Sequence, residues 1–234
     1  MGVGGMIHAM SPTTSSSLLS SAAAEFCELA RRKLHPTPSE AIFDARTGAT
    51  WARSDFDLNP ELLADLTVVE PLRPAAVLVP VVARDELTVL LTLRTENLST
   101  HAGQIAFPGG RVEPNDTGPV ATALREAREE IGLDAGFIEP LGFLDCYRSG
   151  TGFLITPLVA LVRTGFTLSL DPLEVADAFE VPLSFLMDPT HHRQHSREWR
   201  GRLRYYYAMP YGQRYIWGAT AGMIKNMHER LFVA

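Results

Sequence analysis

The chain has 234 residues, is 46% hydrophobic and 21% charged, and carries a formal net charge of -6. That size suits one domain with a single core plus a tail. The acidic balance, with Lys33 and Lys225 as the only lysines, argues against non-specific nucleic-acid binding but leaves room for a locally basic pocket.

Residues 1–17 are rich in Gly, Ser, Thr and Met without an apolar period and read as a disordered tail. No basic stretch precedes an apolar one, so no secretory leader is expected, and Met6 stands where a myristoylation signal needs a hydroxyl residue. Residues 18–70 read as a helix and a lead-in. Leu18 to Leu34 is amphipathic and stopped by Pro36 and Pro38, with an apolar face for the domain or for a second copy in a homodimer. The segment from Glu40 to Pro74 is mixed, with a short helix suggested at Pro60 to Leu66.

The domain proper is read as 71–234. Ala75–Ala83 and Leu87–Leu93 are apolar runs of strand length joined by Arg84-Asp85-Glu86, which predicts a buried hairpin. Gln104–Phe107 is a short third strand leading into a Pro108-Gly109-Gly110 turn. A helix follows. At about 100° per residue, Val120, Leu124, Ala127 and Ile131 form its apolar face, while Glu126, Glu129 and Glu130 project together on a stripe away from it. Asp116 or Thr117 is expected to cap this helix, Pro119 suits its first turn and Gly132 its end. Like charges at this spacing cost a few tenths of a kcal/mol per pair, which a divalent cation would reverse.

Ile138–Tyr147 and Phe153–Val162 read as strands joined by a loop at 148–152. Pro182–Met187 reads as a short helix, Arg197–Ala208 as two edge strands split at Gly201, and Trp217–Leu231 as a closing helix. His191, His192 and His195 lack a partner cysteine and read as a surface loop. Cys27 and Cys146 are too few for a disulfide framework or a four-ligand zinc site, which fits a reduced, cytoplasmic setting. No run of about 18 apolar residues is present, so no membrane span is expected.

The segment Arg125-Glu126-Ala127-Arg128-Glu129-Glu130-Ile131-Gly132-Leu133 resembles the second half of the Nudix box. The first half departs from it: Asp116 replaces a Glu, and the loop is one residue longer. Leu90-Leu91-Thr92-Leu93-Arg94-Thr95, Leu98, His101, Gly103-Gln104-Ile105 and Phe107-Pro108-Gly109-Gly110 resemble the segment ahead of the box in the coenzyme A pyrophosphatase branch. So do Phe179–Leu183, Tyr206–Tyr211 and Ile216–Ala221.

The resemblance implies an α/β/α sandwich with a mixed β-sheet flanked by helices. It also implies a Mg²⁺- or Mn²⁺-dependent hydrolase that cuts coenzyme A or acyl-CoA into (acyl-)4'-phosphopantetheine and adenosine 3',5'-bisphosphate. Glu126 and Glu130 are the implied metal ligands, Glu129 ligates or orients the attacking water, and Gly110 offers a carbonyl. Arg125 pairs with an acid of the box. The catalytic base comes from outside the box in many relatives, and Glu174 is the candidate, with an ordinary surface glutamate as the alternative. Arg94, His101, Gly103, Gln104, Gly109 and Gly110 belong to the implied substrate site. Arg94 could grip a phosphate such as the 3'-phosphate of coenzyme A, and His101 and Gln104 either touch substrate or brace the loop. Two alternatives stand: hydrolysis of another nucleoside diphosphate derivative, such as ADP-ribose or a dinucleotide, and a non-catalytic Nudix-fold regulator that binds nucleotide. A zinc-ribbon NADH pyrophosphatase lacks its cysteines here, and Phe232-Val233-Ala234 is not a peroxisomal address.

Overall fold

Elements occur in the order α1 (Ser21–Lys33), β1 (Arg53–Ser54), β2 (Arg73–Val82), β3 (Thr88–Arg94), β4 (Ile105–Ala106), β5 (Gly109–Arg111), α2 (Pro119–Ile131), β6 (Ile138–Phe143), β7 (Tyr147–Arg148), β8 (Phe153–Val162), β9 (Val175–Pro182), α3 (Leu183–Met187), β10 (Arg193–Trp199), β11 (Arg202–Tyr211), β12 (Arg214–Trp217) and α4 (Ala219–Phe232). The computed structural model describes residues 19–38, 53–54, 56–60, 72–98, 100–199 and 201–233. The expected tail at 1–17, and all but the first residue of the helix expected at Pro60 to Leu66, lie outside the described residues.

The two longest apolar runs, β2 and β8, pair in parallel from Arg73↔Phe153 to Val82↔Val162 and form the middle of a mixed nine-stranded sheet. Both are buried on both faces, which is why each reads as a continuous apolar run rather than as an alternation. Within them the two-residue period sorts side chains between two cores. Ala76, Leu78, Val82, Leu158, Ala160 and Val162 meet Ala123, Ala127 and Ile131 of α2. Val79, Val81, Val159 and Leu161 turn the other way, to Phe26 of α1, Leu186 of α3 and Met223, Ile224 and Met227 of α4. The result is an α/β/α sandwich.

α1 forms as its sequence predicts. Ser20 Oγ accepts from Ala23 N–H, Arg31, Arg32 and Lys33 face the negative end of the dipole, and Ala23, Phe26, Cys27 and Ala30 make one buried stripe. That stripe is spent on the domain: just past the helix, His35 and Phe143 exchange backbone hydrogen bonds of 3.0 and 2.9 Å. No helix among the described residues is long and apolar enough to cross a membrane.

Several expectations need correction. The Gly109-Gly110 stretch is not a turn but strand β5, antiparallel to β2 with Val77↔Gly109 and Ala76↔Gly110 in register. β9 was not legible as a strand, because its half-buried residues, Asp177 and Glu180 among them, hide any apolar alternation, yet it pairs along all of β3. β12 also occupies residues read as loop and helix start, and forms a separate antiparallel sheet with β10 and β11. The α2 N-cap is Gly118 without a side-chain bond, not Asp116 or Thr117, whereas Pro119 at the first turn and left-handed Gly132 at the end are as expected.

Candidate active site

The face that α2 buries is rotated from the one its apolar residues suggest. Thr122, Ala123, Ala127, Glu130 and Ile131 are buried, and Leu124 is only half so. Alanines at 123 and 127 let the helix sit close on the sheet, which turns Glu126 and Glu130 inward over β5 instead of out to water. Glu130 is 4% exposed, Glu126 14% and Glu129 59%.

Glycine is needed beneath them. A Cβ on Gly109 would stand 2.5 Å from the Ala76 carbonyl oxygen, and one on Gly110 would stand 2.3 Å from Glu126 Oε1. The Gly109 N–H instead donates to Glu130 Oε2 at 3.1 Å, joining the strand to the helix.

Arg125 locks the long loop to the helix. Its Nε and Nη2 donate to the two oxygens of Asp116 at 3.1 and 3.0 Å, Nη2 also reaches the Arg111 carbonyl at 3.0 Å, and Nη1 reaches Glu126 at 2.9 Å and Glu129 at 2.8 Å. Asp116 is thus held by a two-pronged bond, accepting as well from Thr122 Oγ1 and the Glu113 N–H. The Arg125 guanidinium holds the Asp116 carboxyl down to about 2.

At the inward carboxylates burial outweighs the neighbouring cations Arg125 and Arg94. Burial pushes the Glu130 carboxyl up to about 7 against the pull of the Gly109 N–H and Arg94, and Glu126 and Glu174 push the same way. Glu126 is raised by burial too, with Glu129 and Glu174 adding to it. Glu174 therefore belongs electrostatically with Glu126 and Glu130, although it lies more than 40 residues from either in sequence. Its turn is fixed to the end of β3: Thr95 N–H donates to the Glu174 carbonyl and Thr95 Oγ1 to that of Leu173, both at 3.0 Å. Arg94 lies 3.4 Å from Glu130, and its buried Nε has no hydrogen-bond partner among the described residues.

These donors are all hard oxygens, the chemistry that suits Mg²⁺ or Mn²⁺, and their mutual repulsion is what a divalent cation relieves. As arranged, Arg125 engages Glu126 and Glu129, and no three His, Cys, Asp or Glu side chains among the described residues form a ready metal site.

Arg94, Gly109 and Gly110 open onto a cavity of about 800 Å³. His101 and Gln104 also line it, joined to each other at 2.9 Å, with His101 at φ 57, a left-handed conformation that a non-glycine residue adopts at some cost. Gly103 stands behind this loop, where a Cβ would meet the Glu96 carboxylate at 2.4 Å. The cavity is also lined by Arg197, Trp199, Arg204 and Trp217 of β10–β12, together with Arg53 and Lys225. Sequence reasoning missed this set, although the alternation Arg197-x-Trp199 and Arg204-x-Tyr206 carried the signal.

A family model described as NUDIX domain matches residues 72–199. An uncharacterized Nudix hydrolase NudL from Photorhabdus laumondii is 41% identical over 161 residues, which cover 69% of this chain and 86% of that protein. A protein of the same description from Yersinia pestis is 37% identical over 69% of this chain and 81% of its own length. Among solved structures, the M. smegmatis Nudix hydrolase RenU aligns over 67% of this chain and 84% of its own, with a TM-score of 0.44 at 20% identity.

Proposed function

Since this chain belongs to the Nudix family of hydrolases, enzymes that act on pyrophosphate-containing substrates, we propose that its substrate is coenzyme A or an acyl-CoA. Water would break one P–O bond of the diphosphate, leaving (acyl-)4'-phosphopantetheine and adenosine 3',5'-bisphosphate. The observation that carries this reading is the cavity. It is continuous with the Gly109–Gly110 strand, includes His101 and Gln104, and is lined by Arg53, Arg94, Arg111, Arg197, Arg204 and Lys225 against the carboxylates Asp57 and Glu229. A chain of net charge -6 has here concentrated positive charge around a space large enough for a nucleotide.

Nudix hydrolases generally use divalent metal ions such as Mg²⁺ or Mn²⁺. In this reading Glu126, Glu129 and Glu130, with the Gly110 carbonyl, would hold the ion. Bound there, it would shield the pyrophosphate oxygens and ease deprotonation of water. Arg125 keeps Asp116 and so holds the loop against the helix throughout. Arg94, which lines the cavity beside Glu130, donates to a phosphate oxygen at the scissile linkage rather than at the 3'-phosphate. Glu174, on its turn pinned by Thr95, takes the proton from the attacking water. The two cysteines are free and buried, which fits a cytoplasmic enzyme.

Steady-state kinetics with coenzyme A, acetyl-CoA, ADP-ribose and NADH tests the substrate. The highest kcat/KM is expected for the two coenzyme A forms. Preference for ADP-ribose or NADH would keep the hydrolase and discard coenzyme A, and binding without any turnover would favour a regulator.

A further inference from the structure

We propose that Thr95 and Asp171 are positioning residues that hold Glu174 at a set separation from the carboxylates of α2; this rests on the reading above, in which Glu174 takes the proton from the attacking water. The turn bearing Glu174 is fastened on two sides, and one of these is the end of α2. The last carbonyls of a helix lack partners within it. Here the Asp171 N–H donates to that of Glu130 and the Ser169 N–H to that of Ile131, both at 2.9 Å. Gly132 makes room for this: it is left-handed at φ 67, and a Cβ on it would stand 2.9 Å from Ser169 Cβ and 3.0 Å from Ser169 N. From Asp171 the chain closes on itself. The Asp171 carbonyl accepts from the N–H groups of Glu174 at 3.1 Å and Val175 at 2.8 Å, and Asp171 Oδ1 accepts from the Leu173 N–H at 2.9 Å. The residue bonded to the Glu130 backbone therefore also shapes the turn.

The second fastening is to the end of β3. The β3–β9 ladder runs Leu93↔Asp177 and then Arg94↔Val175, so Ala176 is an extra residue on β9. Such a bulge re-aims the residues beyond it. An unbroken ladder would set Thr95 opposite Val175, but here the Thr95 N–H donates to the Glu174 carbonyl at 3.0 Å. The buried Thr95 hydroxyl then donates to the neighbouring Leu173 carbonyl, also at 3.0 Å. Thr95 directly follows Arg94, whose guanidinium lies 3.4 Å from Glu130. Arg94, Glu130 and Glu174 are thus tied by a few hydrogen bonds rather than through the long chain between them. The Leu173 side chain is 77% exposed, so no packing at that position steadies the turn and the hydrogen bonds carry the task. The stakes are high, since misplacing a reacting group by about 1 Å can cost about 10²-fold in rate.

A double-mutant cycle in kcat tests this on the full chain, with whichever of coenzyme A, acetyl-CoA, ADP-ribose and NADH is cut fastest. Thr95→Val removes the hydroxyl at nearly constant volume and should lower kcat about 10- to 100-fold with KM within about twofold. Thr95→Ser keeps the donor and should restore kcat to within about threefold of wild type. Asp171→Ala, at a half-buried position, should show the same fall in kcat at unchanged KM, and decides the matter if Thr95→Val does not fold. In a Glu174→Gln background neither substitution should lower kcat by more than about a further twofold, because the group they position is gone. Full kcat in either folded variant, or losses that multiply with that of Glu174→Gln, would overturn the positioning role while leaving Glu174 as the base. A Glu174→Gln variant as active as wild type, or a wild type that cuts none of the four, would refute the base and the proposal with it.

Discussion

Four carboxylates stand in different surroundings. Glu126 and Glu130 are turned into a dry space over two glycines, Glu129 stays in water on Arg125, and Glu174 approaches from a separate turn. Glu174→Gln should lower kcat by about 10²- to 10⁴-fold, the usual worth of a general base, with an unchanged melting temperature. A kcat within about threefold of wild type would make it an ordinary surface glutamate. Asp116 gives a prediction in acid. Its folded pKa of about 2 lies below the ordinary 3.8, so its charge stabilises the folded chain above pH 3.8, and that contribution is lost as pH falls through about 2. The stability advantage of wild type over Asp116→Asn, from urea unfolding at a series of pH values, should be constant near neutrality and shrink between about pH 4 and pH 2. A gap that does not change with pH would contradict the Arg125–Asp116 pairing.

Packing at the level of α2 is what makes those residues meet. The small Ala123 and Ala127 permit close approach to Leu78 and Leu158, and that approach turns Glu130 inward. Ala127→Leu should overpack the contact, costing about 1–3 kcal/mol in urea unfolding and reducing activity by tilting the carboxylates; a variant as stable and as active as wild type would show that the approach is not tight. Much of this was readable beforehand. The Arg125–Leu133 spacing placed the carboxylates on one helix, and the runs around Leu78 and Leu158 gave the central strands. The direction in which the carboxylates point was not readable, because a helical wheel ranks Val120 and Leu124 above alanine for burial and has no way to weigh closeness of approach. Nor was β9, a half-buried strand with no simple apolar period; of the β10–β12 sheet, the two strands meeting at Gly201 were readable, but the part their side chains take in the cavity was not.

At the scale of the whole molecule, helix α1, which lies ahead of the matched domain, is part of its core. Phe26 and Ala30 of α1 pack in the layer that holds Leu186, Met223 and Met227. Just past α1, His35 meets Asp145, which also accepts from Asn226 at 2.8 Å and Arg230 at 2.9 Å. Burial opposes the Asp145 charge, but His35, Asn226 and Arg230 prevail and hold its carboxyl below the usual range. Phe26→Ala should therefore cost about 3–5 kcal/mol in urea unfolding, as for a buried aromatic residue rather than an appendage. A loss below about 1 kcal/mol would mean that α1 docks only loosely.

The proposed hydrolysis of coenzyme A depends on the carboxylates of α2. Mass-spectrometric identification of the products formed from coenzyme A with Mg²⁺ or Mn²⁺, for wild type and for Glu130→Gln, tests both together. Wild type should give 4'-phosphopantetheine and adenosine 3',5'-bisphosphate, none without metal, and the variant should lose at least about 10³-fold, equivalent to several kcal/mol of transition-state stabilisation. Intact coenzyme A after incubation with wild type and metal, or undiminished cleavage by Glu130→Gln, would contradict it.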